Sequence, residues 1–573
     1  MPGFYGNFNA KICNSETNTY SEFVSKSICF DKFQLQICSI NKFLDDKLCH
    51  EDTDYIIIIE GVIFNKIELY LQYNSKSLIE LVKKIHCEKG ETFFECFRGS
   101  FSGLLFDKNK HQIIIFTDHI GDKPIFYSEV ANQLYFGSEL KYITKSFKEN
   151  RIHYTLNLAG AYAMLTYGFL ISDLTYIQEV KRLRGGTYIT FDTTNGKMLI
   201  KEYHQFKYLP NTQLSDSEII EKLDFLFSQA VKLQVGKNME YGYEDYAALS
   251  AGLDSRMTNF AISKLKNSNF TSFTYSPIDF HDQKTSAMIV KHLMNKFIFQ
   301  SNYSGDLLLD IDGSINANDG LFMYYGSAVL KDFYDRLNTQ KIGIIHSGQL
   351  GDVFVGGSYN IKKIQNISSF RNLDMHSKHL SDKFYQHFDF DKFIKLYIEK
   401  EIFSIYNRGF MGINSGSNLV FQQFTETFSP FCDVEFIQFC LTIPIDKRIN
   451  NYIYDKWILV KYPEAAKFKH NGTRVIGSPY YNFVSEFVER TNRKIKKMVG
   501  IWDDKKIRTV TPLNAWSNNK YVRSGLQKYF NENISLLNEN PVLQSDCRIL
   551  FETGTALEKN QVLTLIGVLK LLF

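Results

Sequence analysis

Apolar residues in the first two hundred positions fall in short runs of strand length: Ile56–Ile59, Ser102–Phe106, Gln112–Phe116, Gln133–Phe136 and Thr187–Phe191. Turns rich in Gly, Asn and Asp separate most of them, which predicts strands joined by tight connections. Ser77–Ile85 has helical spacing, so this region is expected to be a mainly β domain with two or three helices. Tyr203–Asn211 has no periodicity and is expected to be a linker. After it the period changes. Ser215 followed by Glu218 is a capping box, and Ile219, Leu223, Leu226, Phe227, Ala230 and Val231 fall on one helical face. A short apolar run, Tyr246–Leu249, a small-residue turn and a helix-compatible segment, Arg256–Lys266, come next. Phe270–Tyr275 and Lys341–Ile345 are expected to be strands, and Lys284–Met294 and Leu563–Phe573 helices. Alternating helix and strand predicts a parallel α/β sheet, with ligands at the carboxyl ends of its strands.

Composition narrows this little. A chain of 573 residues exceeds a single core, and 44% hydrophobic with 22% charged residues is ordinary for a globular protein. A net charge of +4 is too weak for a nucleic-acid footprint. Nine scattered Cys without a C-x-x-C pair are expected to be reduced thiols. No signal-peptide pattern and no bilayer-length apolar run is present, so a cytoplasmic protein without a membrane span is expected. The closest histidines, His376 and His379, and the basic stripe Arg490, Arg493, Lys494 and Lys497 are expected on solvated faces.

Candidate chemistry centres on Ser250-Ala251-Gly252-Leu253-Asp254-Ser255, directly after the run ending at Leu249. Strand, small-residue turn and helix start form an anion cradle, because N–H groups at a helix N-terminus point at a phosphate and the dipole favours its charge. Ser250 and Ser255 can donate to phosphate oxygens. Asp254 would repel phosphate, and its sensible role is to hold a Mg²⁺ that bridges the phosphates. The phosphate-loop pattern ending in Gly-Lys is absent.

This hexapeptide resembles the S-G-G-x-D-S loop of the ATP pyrophosphatases, with Ala251 where Gly is usual. The first half resembles the class II glutamine amidotransferases of the N-terminal nucleophile group. Gly61–Asn65, Asp118–Tyr127, Phe136–Lys141 and Arg182–Gly186 follow that family's motif order. His346–Gly357 resembles the second signature of the asparagine synthetase family, S-G-E-G-x-D-E, and Pro430–Phe436 and Tyr454–Leu459 resemble two later stretches.

The resemblance to asparagine synthetases implies an N-terminal nucleophile-type αββα domain over residues 1–205, then an α/β parallel-sheet synthetase domain over 206–573. It implies ATP bound by Leu249, Ser250, Gly252, Leu253, Asp254, Ser255, Ser347 and Gly348, with Tyr275 beside the adenine. Asp254 and Asp352 would hold Mg²⁺, and a base such as Lys467, Lys469 or Arg474 would stabilise departing pyrophosphate. Departures matter equally. Pro2 occupies the position of the glutaminase Cys and Glu60 that of an oxyanion-hole Asn, which implies that glutamine is not hydrolysed. Gln349 stands where the family has a proton-accepting Glu, and an amide cannot act as a base.

The expected activity is an AMP-forming amide ligase that adenylates a small-molecule, sugar or peptide carboxylate and passes it to ammonia or an amine. Three substrate classes fit: a uronic acid of surface polysaccharide biosynthesis, a peptide or β-lactam-type ring closure, and aspartate. A catalytically silent nucleotide-binding relative is the alternative outside enzymes. No nucleic-acid partner is expected, and a homodimer is compatible.

Overall fold

The computed structural model describes residues 2–10, 23–130, 133–265, 269–302, 304–360, 373–395, 397, 399–469, 475, 488, 491, 495 and 509–573. Twelve described strands occupy the first half: β1 (Gly3–Phe8), β2 (Phe23–Phe30), β3 (Phe33–Ile40), β4 (Leu48–Glu51), β5 (Tyr55–Ile63), β6 (Gly99–Asp107), β7 (Gln112–Thr117), β8 (Phe126–Val130), β9 (Gln133–Gly137), β10 (Lys181–Arg182), β11 (Thr187–Asp192) and β12 (Met198–Glu202). They form two antiparallel sheets, ordered β10-β8-β9-β1-β3-β2 and β12-β11-β7-β6-β5-β4.

Side-chain alternation shows how the layers stack. Ile56, Ile58, Leu104 and Ile113 meet Phe4, Phe33, Leu35 and Phe136 of the other sheet in one core. Ile57, Ile59, Leu105 and Ile114 turn to the opposite face, where they cover the helices α1 (Lys66–Gln72) and α2 (Leu78–Lys89). A strand buried on both faces reads as a continuous apolar run, which is why Ile56–Ile59 does not alternate. Two more helices, α3 (Leu140–Glu149) and α4 (Leu158–Tyr167), pack in the largest core, so the described residues up to 205 hold four α-helices where two or three were expected.

Residues 204–211 have no regular structure. The helix α5 (Asp216–Tyr241) then starts at a capping box in which Ser215 and Glu218 satisfy each other's backbone. A third sheet follows, all parallel, ordered β15-β14-β13-β16-β17 from β13 (Glu244–Ala248), β14 (Phe270–Ser276), β15 (Lys296–Ser301), β16 (Ile342–His346) and β17 (Thr427–Phe428). The helices α6 (Leu253–Ser263), α7 (His281–Leu293), α8 (Ile311–Asn318) and α9 (Tyr324–Tyr334) supply the crossovers. The apolar C-terminal helix runs Ala556–Leu572, seven residues longer at its start than its apolar run alone predicts, because Thr555 and Glu558 cap it.

Polar clasps join the halves. Lys123 pairs with Glu426 at 2.9 Å, Arg98 with Asp433 at 2.8 Å, and Asp122 accepts from the Asn414 and Asn418 amides at 2.6 Å each. All are buried. The eight described cysteines are free, and no described helix is long and apolar enough to cross a membrane.

Candidate functional site

β13 and β16 are neighbours, so the loops leaving their carboxyl ends lie side by side. The first loop is built from its own short polar side chains. Ser250 N–H donates to Ser255 Oγ at 2.9 Å, the two hydroxyls are 2.9 Å apart, and Gly252 N–H donates to Ser250 Oγ at 3.1 Å. Ala251 N–H donates to Asp282 Oδ1 at 2.6 Å. Leu249 is tied to β14 by its N–H to Phe273 O at 2.9 Å. α6 starts at Gly252 without a side-chain cap, and a Cβ at Gly252 would meet only Ser250 Oγ, at 3.1 Å. The helix start therefore keeps open space above uncapped donors.

The second loop, Ser347–Leu350, leads into a short helical turn at Gly351–Phe354. It presses on the first. A Cβ on Gly348 would lie 2.4 Å from Ser255 N, and one on Gly351 2.6 Å from Asp254 Cγ, so only glycine permits this approach. Thr258 Oγ donates to Ser347 O at 3.2 Å. Asp352 N–H donates to Asp254 Oδ2 at 3.0 Å, and the Tyr454 hydroxyl donates to Oδ1 at 2.8 Å. Burial and then the Asp352 charge push the Asp254 carboxyl well above the ordinary carboxylate range. Asp352 itself is exposed. The fold thus brings a buried and an exposed carboxylate together at the mouth of the cradle.

Other expected site residues are placed as follows. Leu253 is buried in the core. Tyr275, near the end of β14, is half-buried with its ring 5.6 Å from Phe333. Gln349 O accepts from Ser429 Oγ at 2.8 Å, while its side-chain Oε1 is buried with no hydrogen-bond partner. Lys467 is exposed and pairs with Glu464 at 2.5 Å. Lys469 is exposed. Arg474 and the basic stripe at Arg490, Arg493, Lys494 and Lys497 lie outside the described residues. Pro2 is buried at the head of β1. Glu60 is buried, accepts from Ser39 Oγ and pairs with Lys47 at 2.9 Å. His379 pairs with Glu558 at 2.7 Å, and no described group of three or more His, Cys, Asp or Glu could hold a metal by itself.

Three residues escaped sequence reading. Arg256 is fully buried behind the first loop. Its Nη2 donates to Ala251 O at 2.8 Å and Lys469 O at 3.1 Å, and its Nη1 to Phe468 O at 2.8 Å and Ala465 O at 3.1 Å. A cation in the first turn of a helix opposes the dipole, and that anomaly is the signal that could have singled it out. Asp282 carried no local signal, and Tyr454, although it opens the stretch Tyr454–Leu459, carried none for its partner, since each acts on a loop distant in sequence.

A helix-flanked β-sandwich joined to a parallel sheet with paired loops defines a two-part α/β protein, and residues 10–204 match the glutamine amidotransferase domain family. Over 333 residues the chain is 24% identical to asparagine synthetase (glutamine-hydrolyzing) 1 of Bacillus subtilis, covering 55% of this chain and 49% of the relative. It is 25% identical to asparagine synthetase (glutamine-hydrolyzing) 2 of the same organism, covering 45% of this chain and 36% of the relative. With a putative asparagine synthetase (glutamine-hydrolyzing) 2 of Methanocaldococcus jannaschii it is 28% identical, covering 37% of this chain and 42% of the relative. The chain thus spans less than half the length of these relatives. Its similarity is thus to asparagine synthetase-like proteins, from which it diverges, with proline at position 2.

Proposed function

We propose that this chain is an ATP-dependent, AMP-forming amide ligase, with an amidotransferase-like domain over residues 1–205 and a synthetase domain over 206–573. The observation that carries the reading is the contact between Asp352 and Asp254, 98 positions apart in sequence, at the mouth of an uncapped helix start. Ser250, Gly252 and Ser255 would hold phosphate oxygens, with Ser347 and Gly348 along the other wall. Two carboxylates are too few to cage a cation, which suits Mg²⁺, an ion that keeps waters and takes its remaining ligands from phosphates. Such an ion supplies charge neutralisation on the phosphates.

The acceptor carboxylate attacks the α-phosphorus, giving an acyl-adenylate and pyrophosphate. Ammonia or another amine then attacks the acyl carbon, AMP leaves, and an amide forms. Arg256 holds the 465–469 segment against the first loop, which keeps Lys469 within the neighbourhood of departing pyrophosphate. Gln349 orients a polar group of acceptor or amine but cannot take its proton, so that proton leaves to another acceptor. Glutamine is not the nitrogen source. Pro2 has no thiol, and the Glu60–Lys47 ion pair fills the place of an oxyanion donor with a carboxylate.

Pyrophosphate release from Mg·ATP, assayed with L-aspartate, D-glucuronate and peptide acids, tests this. Release with one acid and ammonia, abolished by Asp254→Ala or Asp352→Ala, is expected. Full release in either variant, or none with any acid, overturns the reading. Glutamate release from glutamine would refute the loss argued at Pro2.

A further inference from the structure

The neighbouring loops owe their alignment to an irregularity one turn below them. In the pairing of β13 with β16, Glu244 faces Ile342 but Tyr246 faces Ile345 and Ala247 faces His346, so β16 carries one extra residue. Bulges are uncommon between parallel strands. Lys42 Nζ and Thr425 Oγ1 donate to carbonyls at its start, Ile342 O and Gly343 O, and one side chain of α5 holds its next residue, Ile344. Asn238, fully buried in α5, accepts from Ile344 N–H at 2.6 Å through Oδ1 and donates through Nδ2 to Ile344 O at 3.1 Å. One amide thus satisfies both backbone groups of the bulged residue. The same Nδ2 donates to Asp245 Oδ1 at 2.7 Å, which also meets His346 Nε2 at 2.8 Å. His346 Nδ1 faces Gln234 Oε1 at 3.1 Å, one helical turn before Asn238. Gly343 makes room, since a Cβ there would lie 2.2 Å from Asn238 Oδ1.

Without the extra residue, Ile345 would face Ala247 and His346 would turn to the other face of the sheet. Everything beyond β16 would shift by one residue, about 3.3 Å. That exceeds what the 3.0 Å contact from Asp352 to Asp254 can absorb. We infer that Asn238, Asp245 and His346 are positioning residues that fix the register of the two loop-bearing strands and so hold Asp352 against Asp254. None of the three touches the cradle; they act through the strand ends.

The inference rests on the ligase reading for its readout, which is the effect of Mg²⁺ on the affinity of α,β-methylene-ATP measured by calorimetry. In the full chain, Mg²⁺ is expected to tighten binding by about ten-fold or more, since both carboxylates meet the ion. In Asn238→Ala the gain from Mg²⁺ falls to about two-fold or less, while Mg²⁺-free affinity changes by less than about three-fold, because the first loop is intact and the second is displaced. Should Asn238→Ala lose its cooperative melt, His346→Gln is read in the same way, with a smaller reduction of the Mg²⁺ gain. An undiminished gain, or equal losses with and without Mg²⁺, overturns the inference and leaves the network as ordinary core. A wild-type chain that binds the analogue with no gain from Mg²⁺ refutes the ligase reading and this inference with it.

Discussion

The backbone N–H of Asp352 donates to the buried carboxylate of Asp254 at 3.0 Å, and the Asp352 charge at the same time raises the Asp254 carboxyl. One residue both orients the acid and opposes its ionisation. A raised carboxyl in the fold means that the unfolded chain gives up its proton first. The unliganded protein therefore loses stability as pH rises from about 4, the ordinary carboxylate value, toward the raised one. Asp254→Asn keeps the shape, with its oxygen toward Asp352 N–H and its amide toward Tyr454 Oη. It is expected to raise the unliganded melting temperature and flatten that pH dependence, while pyrophosphate release falls about 100-fold or more. Calorimetric melts between pH 4 and pH 8 and a pyrophosphate assay read the two effects.

Leu350 sits in the left-handed region at φ 65°, between the glycines of the second loop. Strain of this kind costs about 1–2 kcal/mol for a side-chain residue. Leu350 is nevertheless buried, and its methyl groups lie against Gly409. Removing a buried leucine side chain costs about 2–5 kcal/mol. Burial outweighs strain, so Leu350→Gly relieves the backbone yet destabilises the protein by roughly 1–3 kcal/mol. Urea unfolding measures this, and a stabilised variant would show that the backbone strain dominates.

How much of this was legible depended on how local each feature is. The cradle reads from the sequence because Ser250, Gly252 and Ser255 act on one another within one turn. The parallel sheet reads from its apolar strands and the capped helix at Ser215. β1 stayed hidden because Gly3 and Gly6 break a strand pattern. Gly6 is there because a Cβ would lie 2.4 Å from Gln34 O, a contact with a strand not adjacent in sequence. α4 stayed hidden because nearly all of it is buried, so it has no polar face to set a period. Tyr454, Asn238 and Arg256 act across tens to hundreds of positions, and no single-sequence pattern reports such partners.

His119 is buried between the rings of Tyr203 and His204, at 5.3 and 4.9 Å. Burial and then repulsion from His204 push its imidazole down to about 3. The unfolded chain takes up that proton near pH 6.5 while the folded chain stays neutral. Stability contributed by neutral His119 is therefore complete above about 6.5 and lost as pH falls toward 3, by a few kcal/mol. His119→Phe keeps an aromatic ring in place and is expected to remove that component. Unfolding free energies compared between pH 4 and pH 7 test it, and equal slopes in both proteins would assign the acid sensitivity elsewhere.

Arg256 separates support of the cradle from charge within it. Its guanidinium donates to four backbone carbonyls, one in the first loop and three in the 465–469 segment. No carboxylate is among those partners, and burial lowers its pKa to about 10, so the group remains a cation at neutral pH. A fork of planar donors can reach both segments at once, whereas an ammonium is a compact point with shorter reach. Arg256→Lys keeps the charge and loses the bridge, while Arg256→Met loses both. If the positive charge behind the loop attracts phosphate, Lys should retain nucleotide affinity and only Met should lose it. If the bridge matters, both variants should weaken α,β-methylene-ATP binding by a similar factor, about 10- to 100-fold for the loss of the link between the two segments. The four carbonyl partners favour the second outcome. Near-wild-type affinity in Arg256→Lys would show that the loop needs the cation and not the clamp.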